Sequence, residues 1–277
     1  MKRIVTVQDI SCLGKCSLTV ALPIISAMGV ECAIIPTAVL STHTMFKNFT
    51  CHDLTAEIEP ILAHWQSEGI DFDAVYTGYL GSFEQIDIVS GLFDTVKKQG
   101  SLICVDPAMA DNGKLYPAFD EAFAKKMASL CAKADYILPN ITEAAFMTGI
   151  EYREAYDEAY VKELMLALAA LGAKNVVLTG VSFAEGMTGV MVYRSDAGEF
   201  YYYSHEKLPV SYHGTGDIFS STFVGALMNG LSESEAVKVA ADYTAECIRV
   251  TFGNGKEKWY GVDFESCMPY LLKKLGK

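Results

Sequence analysis

Short apolar runs alternate along the chain with longer segments whose apolar residues recur every three or four positions. Ile4–Val7, Cys32–Pro36, Ala74–Tyr79, Leu102–Val105, Tyr136–Leu138 and Val176–Thr179 read as strands. Leu18–Met28, Asp53–Glu68, Ser82–Lys98, Phe119–Ala132, Thr142–Thr148 and Glu154–Leu171 read as helices, with Pro23 an irregularity in the first. In Asp53–Glu68, Leu54, Ile58, Ile61, Leu62 and Trp65 share one face. Strand followed by helix, repeated, is what a parallel sheet with crossover helices requires. The rhythm breaks at Thr188–Tyr203. There Gly189–Tyr193 and Glu199–Tyr203 flank Ser195-Asp196-Ala197-Gly198 and predict a β-hairpin near residues 188–203. Helices are predicted again over Asp217–Asn229, Glu233–Thr251 and Phe264–Leu275. No linker or repeat divides the chain, so residues 1–277 are expected to form one α/β domain: a central, mostly parallel sheet with helices on both faces.

Composition narrows the function. Of 277 residues, 51% are hydrophobic, enough for a sizeable core. The net charge of −12 repels phosphate backbones at long range, which makes nucleic acid a poor partner. No apolar run reaches bilayer length and the N-terminal one is too short for a signal sequence, so a soluble cytoplasmic protein with no membrane partner is expected. The eight cysteines show no Cys-x-x-Cys or zinc spacing, and free, reduced, mostly buried thiols are expected.

The strongest local feature is Gly214-Thr215-Gly216-Asp217, between a loop and a predicted helix. Glycines let the backbone approach a ligand, and free amides at a helix start form an anion site. Asp217 in the first turn can act as a general base facing that site, the pairing phosphoryl transfer needs. A plain capped helix start explains the tetrapeptide equally well when it is taken alone. Three further features stand at predicted strand ends: Asp106-Pro107, Pro139-Asn140-Ile141-Thr142-Glu143 and Thr179-Gly180. In a parallel sheet these ends lie on one edge, where ligands bind. Asp106 and Glu143 can hold Mg²⁺, directly or through water. Asn140 and Thr179 offer neutral hydrogen bonds to phosphate oxygens. Singly, each reads as a turn or cap, with Thr142 a plausible N-cap. A Walker P-loop, a dinucleotide fingerprint and the protein-kinase signature set are missing, so any ATP chemistry uses a different cradle.

These motifs, in this order, resemble the ribokinase superfamily over nearly the whole chain. Within it, Thr77-Gly78-Tyr79-Leu80-Gly81-Ser82 and Ser41-Thr42-His43-Thr44 resemble the substrate-side segments of pyridoxal kinases. The resemblance implies transfer of the ATP γ-phosphoryl to the 5′-hydroxymethyl group of a B6 vitamer (pyridoxal, pyridoxine or pyridoxamine). It implies Asp217 as base, the amides of Gly214, Thr215 and Gly216 as anion hole, and Mg²⁺ near Asp106 and Glu143. A K⁺ requirement is possible on the same grounds. It further implies ring contacts from His43 and Tyr79, and a homodimer.

The chain departs from the pattern after the first strand, where Asp9-Ile10-Ser11-Cys12 replaces a Ser-rich or Ser-His segment. Either Asp9 or Ser11 can face the ring nitrogen or phenol oxygen, and a carboxylate there favours a protonated pyridine. Thr42 replaces Asn beside His43. His213, just before the glycine motif, can touch a ligand or sit in the loop. Tyr201-Tyr202-Tyr203 on the hairpin can belong to a dimer interface or pack on the sheet. The competing readings are a hydroxymethylpyrimidine kinase, a sugar kinase and a non-catalytic vitamer-binding protein. Retention of Asp217, Asp106 and Glu143 speaks against the last.

Overall fold

The computed structural model describes residues 1–95, 97–255 and 259–277. Eleven strands and nine α-helices are described, in the order β1 (Arg3–Leu13), α1 (Leu18–Ala27), β2 (Glu31–Thr42), β3 (Cys51–Asp53), α2 (Thr55–Ser67), β4 (Phe72–Thr77), α3 (Phe83–Thr95), β5 (Lys97–Val105), β6 (Ala110–Asp111), β7 (Lys114–Leu115), α4 (Glu121–Cys131), β8 (Tyr136–Ile137), α5 (Ile141–Thr148), α6 (Glu158–Ala170), β9 (Asn175–Val181), β10 (Met187–Arg194), β11 (Glu199–Glu206), α7 (Thr215–Met228), α8 (Glu233–Gly253) and α9 (Met268–Lys274). Nine strands form one sheet in the order β11-β10-β9-β8-β5-β4-β1-β2-β3. Its six central strands are parallel; at the edges β3 and β10 run against them, and β11, antiparallel to β10, runs with them again. This is the mostly parallel α/β sheet expected, and β10–β11 is the expected hairpin.

The buried runs work because successive strand residues serve opposite faces. Val5, Val75, Ile103, Val105, Val176 and Leu178 enter the core under α2–α6. Ile4, Ala74, Tyr76, Cys104 and Val177 enter the core under α1, α7, α8 and α9. Tyr202 and Tyr203 split the same way: the Tyr202 hydroxyl donates to the Val181 carbonyl, and the Tyr203 hydroxyl to Asp242. Of the tyrosine triplet, only Tyr201 is exposed. All eight cysteines are free and five are buried. Among the described residues no helix is long and apolar enough to cross a membrane.

Several element ends differ from expectation, each for a local reason. Asp53 closes the short strand β3 instead of opening a helix, and its carboxylate accepts from Thr55 N at 2.8 Å. The segment predicted helical over Ser82–Lys98 ends at Thr95, and Lys97–Lys98 start β5; Val96 lies outside the described residues. Asp157 caps α6, delaying its start to Glu158. Asn140, not Thr142, caps α5: it closes a capping box with Glu143, while the Thr142 hydroxyl accepts from Gly113 N. β2 continues past Pro36 because the pairing with β1 shifts there, from Gln8↔Pro36 to Ile10↔Val39. In this bulge two β2 residues, Thr37 and Ala38, stand opposite one residue of β1, which is Asp9.

β1 pairs with β2 on one side and β4 on the other, so the chain reverses its direction of sheet growth at β1. Ligands of open α/β sheets bind in the crevice beyond the strand C-termini at such a switch point. Asp9 and Ser11 on β1, Gly78 and Tyr79 after β4, and Asp106 after β5 all stand there.

Candidate active site

Gly214 is the N-cap of α7, with φ +81 in the left-handed region. It also passes close to the loop before α1: a Cβ there would lie 1.8 Å from the Lys15 carbonyl oxygen. Gly216, two residues on, has nothing within 4 Å of its Cβ position and faces open space. The first amides of α7 are thus presented at the crevice with the positive end of a 14-residue helix behind them. Asp217 stands in the first turn, half-buried. Burial and then the charge of Asp106 push its carboxyl up to about 8, against a hydrogen bond from the Ser17 backbone N–H.

Asp106 follows β5 directly and is buried. Ser220 Oγ on α7 donates to it at 2.7 Å and Ala108 N at 3.2 Å. Ala108 takes φ +33, so the Asp-Pro turn is tightly wound beneath this carboxylate. Glu143 is also buried and accepts three backbone amides: Met109 N at 2.9 Å, Ala110 N at 3.5 Å and Asn140 N at 2.9 Å. Burial raises both carboxyls, and the Asp106 charge raises Glu143 further. The Asp106 charge thus disfavours ionisation of both Glu143 and Asp217, so negative charge is crowded around Asp106.

Among the described residues no three His, Cys, Asp or Glu side chains gather into a ready-made metal cage. A hard divalent ion such as Mg²⁺ uses one or two carboxylates, waters and substrate phosphates, and the Asp106–Glu143 pair fits that demand. Glu143, with both oxygens already accepting amides, is suited to hold an ion's water.

The structure places Asn140 and Thr179 beside each other, through an isolated parallel bridge that continues β8 and β9. Neither has an idle side chain. Asn140 Nδ2 donates to Ala110 O at 2.8 Å while its Oδ1 caps α5, and Thr179 Oγ1 donates to Pro139 O at 3.3 Å. Here both shape the loops around the carboxylates.

Asp217 also feels the charge of Asp9, which belongs to a second group. Asp9 is buried and accepts from Ser11 Oγ at 3.2 Å. Burial raises its carboxyl, opposed by hydrogen bonds from Ser17 and Ser11. Tyr79 is half-buried beside Phe119, ring centroids 5.4 Å apart. Its phenol is pushed up to about 12 by burial and by the nearby Asp9 charge. Gly78 lets this segment cross Gln8, whose side chain would lie 2.7 Å from a Cβ at that position. Gly81 N donates to Gln85 Oε1 at 2.7 Å, which fixes the far end of the segment.

His43 is placed differently from Asp9 and Tyr79. Both ring nitrogens are engaged: Nδ1 accepts from Met45 N at 3.2 Å and Nε2 donates to Tyr260 O at 3.2 Å. Its ring packs against Phe46, His213 and Trp259, with centroids 4.8, 4.5 and 6.0 Å away. Burial lowers both imidazoles, His213 to about 4 with help from His43, so both are neutral near pH 7. His43 therefore ties the loop after β2 to the C-terminal loop. His213 is packed inside that contact, while its neighbour Tyr212 accepts from Thr215 Oγ1 at 3.2 Å.

Three contributors escaped the sequence reading. Tyr116 borders the carboxylates closely enough to feel Glu143, Asp106 and Asp217. The β6–β7 hairpin that brings it there has two-residue strands, too short to leave a periodic signal. Ser220 was readable only as a helix residue, and Ser17 only as a helix cap.

The phosphomethylpyrimidine kinase family model matches residues 21–261. A candidate phosphomethylpyrimidine kinase from Bacteroides thetaiotaomicron, solved in two crystal forms of which one contains pyridoxal, is 38% identical. In the first form it superposes with TM-score 0.94 over 98% of this chain and 93% of that one. Pyridoxal kinase from Lactobacillus plantarum is 30% identical, with TM-score 0.90 over 99% of this chain and 97% of its own. Pyridoxine kinase of Bacillus subtilis is 30% identical over 192 residues, 67% of each chain. With its ribokinase-like sheet, its glycine-led helix start and this match over most of its length, the chain belongs to the phosphomethylpyrimidine kinase family.

Proposed function

We propose that the protein is a pyridoxal kinase, transferring the γ-phosphoryl of ATP to the 5′-hydroxymethyl group of a B6 vitamer. One observation carries this reading: Asp217 stands in the first turn of α7, close enough to Asp106 and to Asp9 to feel the charge of both, and Asp9 in turn is near enough to Tyr79 to raise its phenol. The crystallised Bacteroides relative with pyridoxal supports the ring assignment.

In this reading Asp217 accepts the hydroxymethyl proton as the oxygen attacks the γ-phosphorus, and the ADP oxygen leaves in line. The amides of Gly214, Thr215 and Gly216 take up charge developing on the moving phosphoryl, the principal source of rate in such reactions. Asp106 and Glu143 would hold Mg²⁺, which when bound neutralises phosphate charge. Asp9, with Ser11 donating to it, accepts from a protonated ring nitrogen or from the phenol. Tyr79 lies along the ring, and His43 ties the loop after β2 to Tyr260 beside it.

The pH dependence follows from Asp217. Its carboxyl must be ionised to accept a proton, and in the free protein it is raised to about 8. Consequently kcat/KM should climb between about pH 6 and about pH 8 and then level off. Higher Mg²⁺ favours the ionised carboxyls and should move the rise to lower pH. A rate that falls over this range would assign the limb to another group.

The runner-up is a hydroxymethylpyrimidine kinase, favoured by the description of the matching family. Steady-state ADP formation with pyridoxal, pyridoxine, pyridoxamine and hydroxymethylpyrimidine, each alone, separates the two. The reading expects the highest kcat/KM for a B6 vitamer; a clear preference for the pyrimidine would move the substrate and keep the base.

A further inference from the structure

Helix α3 turns one polar side chain into the core. Its other buried residues, Ile86, Val89, Leu92 and Phe93, are apolar, while Gln85 stands beside them at 1% exposure. A buried amide is costly unless its donors and its acceptor are matched, so its partners define its role. Gln85 Oε1 accepts from Gly81 N at 2.7 Å. That N–H needs an acceptor and so fixes which end of the amide faces it. Nε2 points the other way, with two protons for three acceptors: Thr55 Oγ1 at 2.9 Å, Thr37 O at 3.2 Å and Asp53 Oδ2 at 3.4 Å.

The two ends of this amide belong to two different parts of the site. Gly81 closes the segment that carries Tyr79, and a Cβ on Gly81 would lie 3.7 Å from Gln85 Oε1 and 3.8 Å from the Tyr79 ring. The start of that segment is tied to β1, where Gly78 N donates to Val7 O at 3.2 Å. Thr37 is one of the two bulge residues opposite Asp9. Its carbonyl also accepts from Leu54 N at 2.9 Å, which anchors the bulge to the turn between β3 and α2. Gln85 therefore joins the Tyr79 segment to the strand pair that carries Asp9 through one planar amide.

Resting on the kinase reading above, we infer that Gln85 is a positioning residue for the heterocycle: it fixes Tyr79 relative to Asp9, and with them the fit of the vitamer ring. None of its hydrogen bonds reaches a group assigned to phosphoryl transfer. Its loss is felt by the ring and not by MgATP, whose proposed contacts lie on α7, Asp106 and Glu143.

Steady-state kinetics with the preferred vitamer and MgATP varied in turn test this. Gln85→Met keeps the length of the side chain and removes all of its hydrogen bonds. The vitamer KM should rise about tenfold, with kcat and the MgATP KM changed by less than about twofold. A brace needs both ends. Gln85→Glu keeps the acceptor for Gly81 but sets an anion against Asp53 and the Thr37 carbonyl, so it should raise the vitamer KM at least as much. Thr55→Val removes only the shortest strand-side bond. It should raise the vitamer KM about threefold alone and add nothing to Gln85→Met, since contacting residues couple. Thr55→Val also decides the matter if Gln85→Met fails to fold. An unchanged vitamer KM, vitamer and MgATP KM values that rise together, or effects that multiply in the double variant would overturn the inference. Calorimetric titration with pyridoxal in the absence of nucleotide reads the same brace: dissociation constants weakened in the same order support it, and equal ones reject it. A wild type that binds pyridoxal but phosphorylates no B6 vitamer would sink the kinase reading while the titration still decides the brace; no binding at all would remove both.

Discussion

Replacing Asp217 with asparagine should lower kcat by about a hundred- to ten-thousandfold, the range over which a positioned general base acts. The substitution keeps shape and removes only the ability to take a proton. Binding should survive, because ATP and the ring meet other residues: the α7 amides, Asp106, Glu143, Asp9 and Tyr79. Stability offers an independent check. A carboxyl raised from the ordinary range to about 8 binds its proton more tightly in the folded state. Its contribution to stability is full below the ordinary carboxylate range and is lost progressively as pH rises from there to about 8. Asparagine loses nothing on that rise. The variant should therefore gain stability relative to the parent between about pH 6 and about pH 9, while its turnover is nearly gone. Titrating binding calorimetrically, alongside kcat and melting temperature at the two pH values, checks all three. Full turnover in the variant would remove Asp217 from the mechanism.

The second large effect concerns the two glycines of the same motif, which differ in what they are for. Gly214→Ala must place a Cβ 1.8 Å from a backbone carbonyl, at φ +81. Backbone cannot rotate aside as a side chain can, so the turn and helix start must move. The strain alone amounts to about 1–3 kcal/mol, and activity should fall with stability. Gly216→Ala meets nothing within 4 Å and sits in the first turn of a helix, where alanine is preferred by about 0.5–1 kcal/mol. This variant should fold at least as well as the parent, yet it puts a methyl group where the phosphoryl oxygens are expected. Its kcat should drop by about tenfold or more, the loss being in transition-state contact. Melting temperature and kcat measured together on both proteins distinguish the roles. Retained activity in Gly216→Ala would show that the phosphoryl group does not approach there.

The central sheet was legible in the sequence because its strands are buried on both faces. Val176-Val177-Leu178 and Ile103-Cys104-Val105 can be little else. The gathering of Asp106, Asn140 and Thr179 on one edge followed from the parallel connections alone. What escaped was set by tertiary contacts. β2 runs on beyond Pro36 because a bulge accommodates the proline, and β3 forms because β2 offers an edge. Among the ligand-side residues, Asp9 and Ser11 were visible only as a departure from a family pattern. Their hydrogen bond to each other sits beside the shift in β1–β2 register, which no residue type announces. His43 was visible as a motif residue, but its partner Tyr260 lies 217 positions away.

Asn140 shows how structural and functional readings of one residue coexist. Its capping box with Glu143 secures the start of α5, and the same pair shapes the carboxylate space. The cap thus orients Glu143, whose second oxygen would otherwise be free to turn away.

The account stands on one claim, that the chain moves a phosphoryl group from ATP to the hydroxymethyl oxygen of a B6 vitamer. Phosphorus-31 NMR of the protein with MgATP and pyridoxal, followed over time, tests it at the product. The account predicts growth of one phosphomonoester signal that comigrates with added pyridoxal 5′-phosphate, matched by ADP. Unchanged ATP, or ADP with free phosphate and no ester, would contradict it.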